Sequence, residues 1–203
     1  MVAIRLAAGF LTLLLAGPAL AQDAPRVAIR GTIETVANDG QSVQVLTREG
    51  AHVTMRIKQP ARINTVVAAT LADIKPGGYV GAGAMPGADG VQIAMEIHIF
   101  PEAMRGSGEG FRAFDLAPGS TMTNGSIQAR VDGVNGPKLT VTYKGGEKTI
   151  AIDDKTRIVS FEAGSPADLK PGAAVVARGA KAADGAYDVA FVVVGKNGVK
   201  PPM

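Results

Sequence analysis

The chain has no cysteine and no tryptophan, two histidines, and only 4% aromatic residues among its 203. Without cysteine there can be no disulfide, thiolate metal site, cysteine nucleophile or lipid-modified N-terminal cysteine, so stability must come from packing. The shortage of aromatics leaves few platforms on which bases or sugar rings could stack. A strong charge of one sign is also missing. Lys and Arg outnumber Asp and Glu by 21 to 18, and one of those cations, Arg5, lies in a segment expected to be removed. The remaining charges alternate along the chain and form no stripe able to neutralise several phosphates, so no nucleic-acid partner is expected.

The N-terminus reads as an address. Met1–Arg5 carries one positive charge, Leu6–Leu15 is apolar, Gly17 and Pro18 break the run, and Ala19-Leu20-Ala21 gives a small-x-small cleavage pattern. The apolar run is about half of the ~20 residues that a spanning helix needs. Residues 1–21 are therefore expected to be a signal peptide, with Gln22 opening a mature periplasmic or secreted chain. No later segment is long and apolar enough to span a membrane as a helix.

The rest reads as one unit written twice. Arg30-Gly31-Thr32-Ile33 matches Asn124-Gly125-Ser126-Ile127, and the turns at Asn38-Asp39-Gly40 and Asn135-Gly136-Pro137 follow. Ala61-Arg62-Ile63 matches Thr156-Arg157-Ile158, and Leu71-Ala72-Asp73-Ile74-Lys75-Pro76-Gly77 matches Pro166-Ala167-Asp168-Leu169-Lys170-Pro171-Gly172. Both copies then turn at Asp-Gly, Asp89-Gly90 and Asp184-Gly185, and finish in an apolar strand. Within each copy the side chains alternate: Val53, Met55 and Ile57 share one face, and His52, Thr54, Arg56 and Lys58 the other, which is the period of a half-buried strand. Abundant glycine and proline suit short strands joined by turns.

These features predict an all-β fold. Two tandem small OB-like β-barrels of five to six strands each would occupy residues 27–100 and 124–195, joined by a long structured connector at 101–123 and followed by a tail at 196–203. The Gly-x-Ile start, the Ala/Thr-x-Ile segment and the Asp-Ile/Leu-Lys-Pro-Gly signature also resemble a family of uncharacterised exported bacterial domains. That resemblance implies an OB-like barrel and no active site. Gly77-Gly78-Tyr79 departs from the usual pattern, so the second copy fits better.

The connector is longer than the ~4–6 residues of an ordinary joint. It carries Phe111, Phe114 and Leu116, which need burial, and Arg105, Glu109, Arg112 and Asp115, which can pair. Arg105, Glu109, Phe111, Arg112, Phe114 and Asp115 are therefore the candidate partner-binding residues. A second set, His98 with Met104, Met122 and Glu102, has donors for copper or zinc, since thioethers favour Cu(I). By alternation His98 is expected on the outward face and Met95 inward. No catalytic constellation emerges. Ser120, His98 and Asp115 lack a Gly-x-Ser-x-Gly elbow, with Ser120 expected to cap a turn. Arg105-Gly106-Ser107-Gly108-Glu109-Gly110 opens no helix that could hold phosphate.

The sequence thus predicts a non-enzymatic exported binding or scaffold protein without a cofactor, contacting an envelope protein or polymer. The alternative is a periplasmic accessory protein that handles copper or zinc.

Overall fold

A computed structural model describes residues 25–134 and 136–201; the leader expected over 1–21 lies outside them. The chain forms one continuous twelve-stranded sheet. Its strands are β1 (Arg26–Val36), β2 (Ser42–Thr47), β3 (His52–Ala68), β4 (Tyr79–Pro86), β5 (Gln92–Phe100), β6 (Gly110–Ala113), β7 (Thr121–Gly133), β8 (Gly136–Tyr143), β9 (Gly146–Ala151), β10 (Arg157–Ala163), β11 (Ala174–Lys181) and β12 (Tyr187–Gly195). No helix among the described residues is long and apolar enough to cross a membrane.

Five strands close a barrel. β1 pairs β2, β2 pairs β3, β3 runs parallel to β12, β12 pairs β11, and β11 returns to β1. Inside lie Ile29, Ile33, Val43, Val45, Met55, Ile57, Val175 and Val192, all buried, Met55 and Ile57 on the face their alternation predicts. Five of the remaining seven strands repeat the order as β7, β8, β9, β5 and β4, with β4 returning to β7. The β5–β9 closure of this second ring is brief, at Gln92↔Ile150 and Ile93↔Ala151. It encloses a separate core of Val80, Ala82, Ile97, Ile127, Leu139, Val141 and Ile150.

The strands do not sort by sequence half, which corrects the expected division into barrels at 27–100 and 124–195. Each ring takes three strands from one half and a hairpin from the other. The cause is the length of β3. β3 pairs β2 and the first part of β12 through His52–Ile57, then after a register shift between Ile57 and Arg62 runs on past β12 to β10, and the link to β4 is one short 3-10 turn at Leu71–Asp73. The β4–β5 hairpin therefore starts beside the far ring and completes it. β10 makes the reciprocal journey: it pairs antiparallel with the end of β3 and parallel with β5, then delivers β11–β12 to the first ring.

The seam between the rings has its own core. Val66, Val159, Phe161 and Val193 are buried there, with Phe100 and Met104 packed against them. Phe100 and Phe161 stack with ring centroids 5.0 Å apart. The tail folds onto this seam: Lys196 donates its N–H to the Val66 carbonyl, and Val199 packs on the same cluster.

Candidate functional site

The site is built on β5, and its local geometry corrects the sequence expectation for His98. Opposite β4 the register skips Met95, pairing Gly83 with Glu96 and Ala84 with Ala94. This bulge puts Ala94 and Ile97 together in the ring core and turns Met95 out to solvent. Glu96, His98 and Phe100 are thereby aimed at the cleft between the rings. His98 is 7% exposed and Met95 36%, the reverse of strict alternation.

Glu96 is deeply buried and fully paired. His98 Nε2 lies 2.9 Å from its Oε1, and Arg157 Nη2 donates to its Oε2 at 2.8 Å. Small residues on β4 make the room: a Cβ on Gly83 would sit 3.1 Å from Glu96 Cγ. The ring of His98 also meets Phe100 and Phe161 edge-on.

The connector lies over this face and is tied at both ends. At its start Arg105 pairs with Glu102 and donates to the Gly77 carbonyl and the Ser126 hydroxyl on the second ring. That contact holds the Glu102 carboxyl below the ordinary carboxylate range. At its end Asp115 accepts from Arg30 of the first ring at 2.6 Å, with Arg178 at 4.0 Å, and the Arg30 hydrogen bond likewise lowers its carboxyl. Between these ties β6 adds to β7 as a short strand. Tyr79, whose phenol burial pushes up, donates to the Ser107 carbonyl at 3.3 Å.

Beneath the connector is a cavity of about 310 Å³, walled by both rings and the connector. Arg62, Asn64 and Phe191 come from the first ring and its seam; His98, Phe100, Met122 and Asn124 come from the second; Met104, Arg112 and Phe114 come from the connector. No carboxylate lines it. Asn124 donates from Nδ2 to the Ser107 carbonyl, while its buried Oδ1 has no partner among the described residues.

Of the candidate connector residues, Arg112 and Phe114 reach this cavity, whereas Arg105 and Asp115 anchor the path. Glu109 and Phe111 face the β8–β9 hairpin instead. Glu109 accepts from the Lys144 backbone N–H, and the Lys148 ammonium lies 4.5 Å from the centroid of the Phe111 ring. Of the metal candidates, His98, Met104 and Met122 border the cavity and Glu102 does not, because Arg105 holds it outside. Among the described residues no three His, Asp or Glu side chains converge on one point. Ser120 accepts from the Ala117 N–H and donates to the Phe114 carbonyl, closing the turn before β7. Arg62, Asn64, Asn124 and Phe191 were not singled out from sequence. The available signal was a difference between the two segments that the sequence aligns: Glu96 in one stands where Phe191 does in the other.

An open depression of about 640 Å³ on the first ring also exists, lined by Asp39, His52, Arg56, Asp184 and Tyr187 among others. Several of its charges are paired: Arg56 with Asp184 and Asp188, Lys58 with Asp188, and His52 with Glu34. Comparison with protein-family models, curated proteins and solved structures finds no match.

Proposed function

We propose that this chain is an exported, non-enzymatic binding protein of the cell envelope, made of two OB-like barrels from one duplicated unit that have exchanged hairpins, and that it takes its ligand in the cleft beneath the connector. The observation that carries this reading is the cavity itself. Largely apolar walls with a few convergent polar groups are the usual constitution of a ligand site, and here the walls come from three separately anchored parts of the chain. The leader pattern supports export, and the matched strand orders of the two rings support duplication. The test is binding of an uncharged fluorescent probe, N-phenyl-1-naphthylamine, to the mature chain. Binding is expected in the wild type and lost in Ala103→Trp, which places an indole at the cleft mouth. Equal binding by both proteins removes the cleft as the site.

A second reading is favoured by the meeting of His98, Met104 and Met122 at the same cavity, a soft donor set suited to Cu(I). Competition with a chromogenic Cu(I) chelator tests it. Metal uptake that disappears in Met104→Leu/Met122→Leu supports copper handling, and no uptake by the wild type ends it.

A further inference from the structure

The chemistry of the cleft names a class of ligand, an inference that rests on the cleft being the binding site. Arg157 and Arg62 hold matched places in the two rings. On β10, Arg157 stands opposite Glu96 of the parallel strand β5; on β3, Arg62 stands opposite Phe191 of the parallel strand β12. Arg157 thus has a carboxylate at 2.8 Å, while Arg62 has an aromatic ring as its register neighbour and makes no ion pair among the described residues. Glu96, behind the His98 wall of the cleft, has both oxygens engaged already.

We propose that the cleft takes a small ligand with an apolar body and one carboxylate, and that Arg62 receives that carboxylate as Arg157 receives Glu96. A carboxylate brought under the connector loses water and needs a charged, hydrogen-bonding partner, and a guanidinium supplies two parallel N–H donors. Arg112 adds a second cation at the rim, and its Nη1 is spent on the Gly108 carbonyl. Phe100, Met104, Phe114 and Met122 would cover the apolar body. The volume of about 310 Å³ is at the small end of ligand pockets, ~300–1,000 Å³, which suits a medium-chain fatty acid or a fused aryl carboxylate.

The experiment uses the mature chain loaded with N-phenyl-1-naphthylamine and titrates decanoate, decanol and decylamine, which share a body and differ in head group. Decanoate is expected to displace the probe at a concentration at least about tenfold lower than decanol, one charged hydrogen-bonded contact's worth, and decylamine is expected to be the weakest. In Arg62→Gln the preference for decanoate over decanol should vanish while probe binding persists; Lys58→Gln, outside the cleft, should keep it. A parallel titration with 2-naphthoate and 2-naphthol distinguishes an aryl from an alkyl body, and a carboxylate preference in either series supports the proposal. Probe binding with no carboxylate preference in either series overturns the proposal and leaves the cleft reading standing. Preference unchanged in Arg62→Gln removes Arg62 as the receptor. Absence of probe binding defeats the cleft reading itself.

Discussion

Arg157 donates to Glu96 across the parallel β5–β10 pair at 2.8 Å, with the Glu96 side chain 2% exposed and that of Arg157 51% exposed. The contact joins a strand of the first half to one of the second. It also fixes the carboxylate that holds His98.

Removing one partner of such a pair leaves a charge stranded. Arg157→Met should therefore lower unfolding free energy by about 2 kcal/mol, below the ~3–5 of a fully buried pair because Arg157 is half in water. Glu96→Gln/Arg157→Met should recover part of that loss, because no net charge remains buried. Urea unfolding of the two variants against wild type measures this, and Arg157→Met as stable as wild type would contradict it.

The hairpin exchange predicts the behaviour of half the chain. Residues 25–100 carry β1–β3 and the β4–β5 hairpin, which do not pair with each other in the intact protein. Two copies can complete one another, as in domain swapping. Light scattering coupled to gel filtration should find a dimer; a folded monomer would show that the hairpin can close its own ring.

Gly31 and Gly125 should be intolerant of any side chain. A Cβ on Gly31 would lie 2.1 Å from the Leu46 carbonyl oxygen, and one on Gly125 2.3 Å from that of Thr142. The obstacle is backbone, which cannot rotate aside. Gly31→Ala and Gly125→Ala should each cost about 2 kcal/mol or more. A melting temperature unchanged in either variant would refute the close approach.

Acid should loosen the two short turns that lead into β4 and β11. Asp73 accepts from the N–H and hydroxyl of Thr70, and Asp168 from those of Ser165. Backbone hydrogen bonding, foremost among the causes, lowers both carboxyls. A folded value below the unfolded one gives stability that is complete above the unfolded pKa of ~3.9 and lost as pH falls through the folded value. Urea midpoints of wild type and Asp73→Asn/Asp168→Asn should therefore converge as pH drops from 7 to 3. A constant gap would mean that the charge contributes nothing.

Much of the framework was legible because it is local. Met55 and Ile57 are buried and Val53 packs beside them, on the face their alternation assigned, and Asp73 and Asp168 of the matched motifs each cap a short turn. The orientation of β5 was not legible, since one skipped residue at Met95 reverses every face after it. Nor was the hairpin exchange, because the same contacts satisfy the same residues whichever half supplies them. Of the residues singled out by type, Arg112, Phe114 and Met104 on the connector, Met122 on β7 and His98 on β5 border the cleft. Arg62 has no signal of its own in the sequence, and its distinctiveness depends on Phe191 across from it.

Because each ring borrows two strands from the other half, the peptide link through residues 101–123 is not what keeps the halves together. Severing the chain near Gly106 would leave two fragments still clasped along β3, β12, β4 and β7. The loop over the cleft is thus relieved of tensile duty. Insertions or exchanges there should leave the framework beneath intact.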